Sequence, residues 1–361
     1  MPAIECFQAG AGMRIYRFPV RAFPGLEAMI HVVRAPDQLI LVDTGSGLEE
    51  SNSDLLEGLQ AISREHREPP LPESLSWIVV THGHIDHFGG VAWLRGRSSA
   101  PLAVHELDLR VLTGYEERLA WTAARLRHFL QGAGVAETSL GPMMDLYSFA
   151  KSLSRSVPVE QVLEGARASL GPLEITHLPG HCPGLVVIRV GTILLSSDMV
   201  LPDTSPHQSP EELMPFTGLS HYLDSLGELR ENPPAVTLAL GGHEGPMDDL
   251  RGRVDEIFRL HADRLAGVLD LLEEPRTIAE VSQLLFGRVQ GYHVLLALEE
   301  AGAHIEYLEQ RGFLEVTEVA ALASGGDQPI RYRRVPGRAW QGLKSHGVRE
   351  LRAARREQGR A

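Results

Sequence analysis

Residues 81–90 read Thr-His-Gly-His-Ile-Asp-His-Phe-Gly-Gly, which puts His82, His84, Asp86 and His87 within six positions. Imidazole nitrogen and carboxylate oxygen are ligands of zinc-type cations, and a loop leaving a strand aims alternate side chains at one ion. His82 and His84, two apart, can therefore share one cation. Asp86 and His87 are adjacent, stand where a helix should start, point differently and suit a second. The competing reading is a loop of satisfied surface histidines, and it weakens because three more ligand types stand at loop mouths downstream. His181 lies in Leu178-Pro179-Gly180-His181-Cys182-Pro183-Gly184, Asp198 in Ser196-Ser197-Asp198, and His243 after Gly241-Gly242. Alone, each is an ordinary turn residue with small neighbours. With the His/Asp cluster they complete two coordination shells.

Strand-like runs must deliver these groups. Residues 77–80 lead into Thr81-His82, 175–178 precede His181, 193–196 precede Asp198 and 236–240 precede His243. Residues 28–33 and 39–42, separated by Ala35-Pro36-Asp37-Gln38, predict a hairpin, and 52–67 a polar helix. Strands that alternate with helices and end in polar loops predict stacked α/β layers with chemistry at the strand ends. Residues 106–156 switch to helical periodicity (Leu109, Leu112, Leu119, Leu126, Phe129), which marks a helical insertion. After about residue 254 the chain reads as helices over 254–273, 278–285, 292–301 and 304–311, then strand-like stretches at 312–316 and 330–334. That order predicts a winged-helix-like module. The expected division is a catalytic domain over 1–255, the C-terminal module over 256–335 and a tail over 336–361, whose seven Lys/Arg outnumber Glu350 and Glu357.

Bulk composition excludes several classes. The 361 residues are 43% hydrophobic and 22% charged, enough for a full core. A net charge of −13 opposes generic binding to nucleic acid phosphates or an anionic membrane surface. No apolar run approaches the ~18 residues of a bilayer span. Cys6 and Cys182 are too few for a disulfide framework, and with no signal-like stretch a cytoplasmic location is expected.

The succession Leu41-Val42-Asp43-Thr44-Gly45, the HxHxDH stretch, a later Gly-His, an Asp and a final Gly-His resembles the metallo-β-lactamase superfamily over about residues 30–245. The resemblance implies an α/β fold, the αββα sandwich, with a dinuclear site at one edge of two sheets. It implies one cation on His82, His84 and His181, a second on Asp86, His87 and His243, and Asp198 bridging them. The ions would be divalent, zinc foremost, with iron or manganese also suited to His/Asp ligands. Asp43 would support ligands by hydrogen bonds without touching metal. Cys182 follows a ligand where such proteins often carry Thr or Ser, and reads as a small group packed behind the ligands. Ser196-Ser197-Asp198, Leu201-Pro202 and Gly242-His243-Glu244-Gly245-Pro246 are similar to glyoxalase II-like hydrolases and to lactamase-β-like proteins with a C-terminal winged-helix-like domain. Asp198 stands where class B1 lactamases use a cysteine, which disfavours antibiotic hydrolysis.

The implied activity is hydrolysis: two cations sharing a water lower its pKa from about 15.7 toward neutrality, and one polarises the scissile carbonyl. Asp86 would orient the nucleophile. The expected target is an ester-like acyl bond of a small molecule, foremost a thioester of glutathione or CoA type, with lactones and phosphotriesters chemically adjacent. A metal-dependent endoribonuclease is the reading from another class, opposed by a net charge of −3 over residues 277–334. A persulfide dioxygenase with a single iron is a third, opposed by the retention of Asp86, His87 and His243. Tyr222, at an expected helix start, is a candidate oxyanion donor. Tyr115, Trp121, Phe129, Met143, Met144, Tyr147 and Phe149 either roof a pocket or pack the insertion, and Arg118 or Arg125 would meet a negative group. His105, His128, His177, His207 and His261 are expected to be structural, and the C-terminal module is also a candidate homodimer surface.

Overall fold

Alternation of apolar side chains decides the architecture of the first half. Strands β1 (Glu5–Gly10), β2 (Met13–Phe23), β3 (Leu26–Ala35) and β4 (Gln38–Val42) pair as an antiparallel meander in the computed structural model, which describes residues 2–151, 154–320 and 328–343. The parallel strands β5 (Trp77–Val79), β6 (Leu102–His105) and β7 (Gln161–Leu163) extend it to a seven-stranded sheet in sequence order. A second sheet contains β8 (Arg167–Leu170), β9 (Leu173–His177), β10 (Val186–Val190), β11 (Ile193–Ser197), β12 (Leu238–Gly241) and β13 (Pro246–Met247). Its order is β13-β12-β11-β10-β9-β8, and within it only β11 and β12 run parallel.

Both faces of the first sheet are apolar, which a strand needs if it is covered on both sides. Tyr16, Phe18, Val32, Leu41, Ile78 and Val104 share one core with Leu55, Leu59 and Ile62 of helix α1 (Glu49–Glu65), whose i, i+4, i+7 spacing forms one stripe. Ile15, Val33, Ile40, Val42 and Val79 point the other way and pack on Ile175, Val186, Ile188, Leu195 and Leu240 of the second sheet. Each such side chain stabilises the fold by about 1.5–3 kcal/mol relative to exposure. The hairpin expected near residues 28–42 is β3–β4, with His31 opposite Val42. The sequence-based reading singled out no strand before residue 28, although Tyr16, Phe18, Val20 and Ala22 alternate with Arg17, Pro19 and Arg21 along β2.

The insertion contains α4 (Leu109–Thr113), α5 (Tyr115–Gly132) and α6 (Glu137–Lys151), following the short helices α2 (Ile85–Phe88) and α3 (Val91–Leu94). Beyond it come α7 (Leu219–Glu231), α8 (Leu250–Leu271), α9 (Ile278–Phe286), α10 (His293–Glu309) and the antiparallel pair β14 (Leu314–Val316) and β15 (Tyr332–Arg334). By packing, one unit comprises Met1–Arg125, Met144–Pro206 and Pro234–Leu250, and the other Leu126–Met143, His207–Pro233 and Arg251–Ala361. Beside the linear division expected at residue 255, two earlier segments group with the C-terminal residues, a choice of packing partner that periodicity does not encode. The expected helices at 292–301 and 304–311 are one, since Gly302 lies inside α10, where a Cβ would come within 2.9 Å of the Phe129 ring. Of the tail expected over 336–361, residues 344–361 lie outside the described residues. No helix among the described residues is long and apolar enough to cross a membrane.

Within the second unit a buried polar network ties residues 207–212 to α10. Glu300 accepts the Gln208 N–H at 2.7 Å and pairs with Arg264, while Glu306 accepts the Glu211 N–H at 2.8 Å. His207 lies between Glu299 (2.9 Å from Nε2) and Glu300 (3.5 Å from Nδ1). Burial pulls its imidazolium down, but the hydrogen bonds to the two carboxylates outweigh this and hold the pKa up at about 9.

Two outcomes follow for stability. A histidine that holds its proton more tightly folded than unfolded adds stability that is complete below its ordinary 6.5 and is lost as pH rises through about 9. Denaturant resistance should therefore decline across that window in the wild type and less so in His207→Asn; parallel pH curves for the two would refute the linkage. At Gly58 on α1 a Cβ would lie 2.3 Å from the Phe18 ring. Gly58→Ala gains about 1 kcal/mol of helix propensity but should lose about 1–3 kcal/mol to overpacking. The urea midpoint should fall, and an increase would show that the ring simply moves aside.

Candidate metal centre

Five strands end at one place. β4 runs into Asp43, β5 into the loop of His82 and His84 and then α2 with Asp86 and His87, β9 into the loop of His181, β11 into Asp198, and β12 into His243. Carboxyl ends of strands are where open α/β sheets gather their ligands. Backbone hydrogen bonds stitch the loops together: Thr44 N–H to His87 O (2.7 Å), Val186 N–H to Thr81 O (2.9 Å) and Met29 N–H to Gly242 O (2.7 Å). Gly242 must lack a side chain, since a Cβ would sit 2.3 Å from Asp198 Oδ1 and 2.7 Å from His87 Cε1.

The seven ligand candidates converge. His82, His84 and His181 form one triad and Asp86, His87 and His243 another, and His82, His87 and Asp198 form a third group, with ligand atoms in each within 4.8 Å of one another. Asp198 Oδ2 stands between the triads, 3.6 Å from His181 Nε2, 3.6 Å from His87 Nε2 and 3.3 Å from His243 Nε2. Asp86 Oδ2 is 3.4 Å from His243 Nε2. For His87, His243 and His82 the inward nitrogen is fixed by what holds the other side of the ring. The His87 Nδ1–H donates to Asp43 Oδ2 at 2.8 Å, and the His243 Nδ1–H donates to the Glu27 carbonyl at 2.5 Å. His82 Nδ1 meets Thr81 Oγ1 at 3.1 Å and Ser197 Oγ at 3.2 Å, which leaves its Nε2 3.1 Å from His84 Nδ1. Asp43, at φ 65°, also accepts the Thr81 N–H and hydroxyl, both at 2.8 Å. It therefore holds both the start and the end of the ligand-bearing stretch 81–87.

Electrostatics follow from burial of mixed charge. Burial holds His82 well below its ordinary pKa, helped by the charges of His87 and His84; His84 is held down by burial, then by His181 and Lys151. Burial also pulls on His87 and His243, but carboxylates prevail: Asp198, Asp86 and Asp43 raise His87 to about 10, and Asp198 and Asp86 push His243 up to about 12. Burial opposes ionisation of Asp86 and Asp198, yet His87 and His243 hold both below the usual carboxylate range. The donor set fits a cation. His87 Nε2 and Asp198 Oδ1 are buried with no hydrogen-bond partner, a state that costs about 1–3 kcal/mol per group unless something coordinates them. The group His261, Glu300 and His304 is equally compact, but its atoms are spent. The His304 Nδ1–H donates to the Glu300 carbonyl at 2.7 Å, Nε2 accepts from His261 Nδ1 at 3.1 Å, and the carboxylate serves Arg264 and Gln208.

Other expected residues take different places. Tyr222 is fully buried on α7, its ring edge-on to His261 at 5.6 Å in the second unit. It is a core side chain there, not an open phenol awaiting an oxyanion; the helix start was readable, but packing chose the face. Arg118 and Arg125 stack on Trp121, 4.4 and 4.7 Å from its ring. Tyr115, Phe129, Met144 and Tyr147 are buried, and Phe149 is exposed. His105 and His177 stack on each other at 3.8 Å. Cys182 is buried with its Sγ 3.5 Å from an Asp108 carboxylate oxygen, and burial followed by that charge pushes the thiol well above its ordinary pKa. Sequence reasoning passed over Asp108, Thr81, Ser197 and the Glu27 carbonyl. Thr81 and Ser197 stood in the quoted stretches only as neighbours of His82 and Asp198, Asp108 lies far from any ligand spacing, and a carbonyl has no residue signature at all.

The profile of the metallo-beta-lactamase superfamily matches residues 25–243. The probable metallo-hydrolase YqjP of Bacillus subtilis (strain 168) is 24% identical over 296 residues, covering 78% of this chain and 88% of that protein. The crystal structure of a metallo-beta-lactamase family protein from Thermus thermophilus superposes with a TM-score of 0.70 at 25% identity, over 89% of this chain and 98% of that one. A beta-lactamase domain protein from Burkholderia ambifaria does so with a TM-score of 0.70 at 27% identity, over 92% and 94%. A profile that spans more than half of the chain and ends on the last ligand candidate, laid over two packed sheets with their loops gathered at one edge, makes this protein a member of the metallo-beta-lactamase superfamily.

Proposed function

We propose that the protein is a dinuclear metal-dependent hydrolase acting on an ester-like acyl bond of a small molecule, foremost a thioester of glutathione or CoA type. The observation that carries this reading is the place of Asp198 Oδ2, within 3.3–3.6 Å of nitrogens from both triads, so that one carboxylate oxygen serves two ligand sets. His82, His84 and His181 would hold one divalent cation and Asp86, His87 and His243 the other, zinc foremost. Such a pair supplies water activation near neutral pH and polarisation of the acyl oxygen.

The chain's own residues do the orienting. Asp43 and the Glu27 carbonyl keep the Nε2 atoms of His87 and His243 turned inward. His84 and Asp86 are the ligands that keep partial exposure, so the centre opens to solvent on their side and Asp86 is the carboxylate placed to orient an attacking nucleophile. The Cys182 thiol, buried and raised in pKa, is no nucleophile. A covalent acyl intermediate is not part of this reading. Lys151 ends α6 and its charge bears on His84, which suits the carboxylates or phosphates of glutathione- or CoA-type substrates. The net charge of −3 over residues 277–334 supports a small molecule over RNA, and the second triad supports hydrolysis over single-iron oxidation. Helices α8–α10 followed by β14–β15 support a winged-helix-like reading of the C-terminal region, and the two cysteines support a cytoplasmic location.

Zinc-loaded protein should hydrolyse thioesters in preference to lactones, phosphotriesters and RNA, lose activity on exhaustive chelation and regain it when Zn²⁺ is restored. Full activity after chelation would overturn the metal reading, and RNA preferred by more than about tenfold in kcat/KM would overturn the substrate. Asp86→Ala should lower kcat by about 10²–10⁴-fold, the range for losing a positioned catalytic side chain. A variant within a few-fold of wild type would remove Asp86 from the chemistry.

A further inference from the structure

We propose that Asp108 is a positioning residue that ties together the two loops supplying the first ligand triad, His82 and His84 from one loop and His181 from the other. Asp108 stands between β6 and α4, is fully buried, and is not itself a ligand candidate. Its Oδ2 accepts the N–H of Gly83, the residue between His82 and His84, at 2.8 Å. From the other loop the Cys182 thiol faces it, its Sγ 3.5 and 3.6 Å from the two oxygens. One carboxylate thus receives donors from both sides of the triad.

The fit leaves no slack. A Cβ on Gly184 would come 2.5 Å from Asp108 Cγ, and one on Gly83 3.2 Å from the same atom. Both glycines, and the small donor at position 182, are explained by the carboxylate they enclose. A buried carboxylate costs several kcal/mol of desolvation, which an apolar side chain of similar size avoids. Apart from the charge of Arg118, the groups that compensate it are those on the two ligand loops. Asp43 and the Glu27 carbonyl hold His87 and His243 of the second triad by bonds that do not run through Asp108, although Asp43 also takes the Thr81 N–H and hydroxyl beside His82. Loss of Asp108 should therefore fall on the first triad and spare the second.

The inference rests on the proposed metal centre, so its test must separate the two. The probe is Co²⁺ alone, titrated into the metal-free full-length protein against a competing chelator, with the visible absorption band followed at each step. Wild type should take up two ions. Asp108→Asn should weaken one step by about 10–100-fold, the usual cost of losing a group that orients ligands, with a changed band for that ion and an unchanged second step. Cys182→Ser keeps a donor and should bind as wild type, whereas Cys182→Ala should weaken the same step as Asp108→Asn. If Asp108→Asn does not fold, the Ser/Ala pair at position 182 decides. Wild-type binding in both Asp108→Asn and Cys182→Ala, or equal losses at both steps together with a matching fall in the melting temperature of the metal-free protein, would overturn the positioning role. Wild type that takes up no Co²⁺ would overturn the metal centre first and this inference with it.

Discussion

Gathering five imidazoles and three carboxylates, all but His84 and Asp86 buried, at the strand ends of two packed sheets is the constraint on which the rest of this protein depends. Each ionised group taken from water costs several kcal/mol unless it is paired, and the chain accepts that cost for Asp43, Asp86 and Asp198 within one site. The imidazoles answer only part of it. Asp43 is satisfied by His87 and Thr81, while Asp198 Oδ1 and His87 Nε2 have no hydrogen-bond partner. A cluster of saturated hydrogen bonds, like that around Glu300, would be a structural core; a cluster whose inward nitrogen and oxygen lone pairs lack hydrogen-bond partners suits a cation.

The two-sheet sandwich is what makes such a cluster affordable to fold. The apolar contacts between the sheets, from Ile15 and Val33 through Val186 to Leu240, bring the carboxyl ends of β4, β5, β9, β11 and β12 to one edge. Small residues then let the loops close on each other. Gly242 sits against Asp198 and His87, and Gly83 and Gly184 sit against Asp108. The same feature thus appears twice: a glycine beside a ligand, with a carboxylate in the space its side chain would fill. Precision at the site comes from close backbone approach as much as from the ligands.

The ligand residues were legible because their chemistry is concentrated in rare types at short spacing, and strand ends announced where they would stand. His82, His84, Asp86 and His87 occupy six consecutive positions, and the β3–β4 hairpin and most strands near the site follow visible apolar alternation. Less was legible where glycine serves contact and not a break, as Gly302 does in α10. Tyr222 shows the limit on single residues. Its helix was foreseeable, but whether its hydroxyl faced a substrate or a core was settled by His261, distant in sequence.

Sequence by itself determined the kinds of ligand, their order along the chain and the alternation that makes two apolar faces, since each of these is a local property of residue type and spacing. Tertiary structure decided the rest: which ring nitrogen turns inward, that Asp198 stands between two triads, that segments 126–143 and 207–233 join the C-terminal unit, and that Asp108 reaches two loops at once. These depend on contacts between residues tens to hundreds of positions apart, including contacts to backbone carbonyls and N–H groups that every residue carries alike. No spacing rule records them, because they exist only after the sheets have packed.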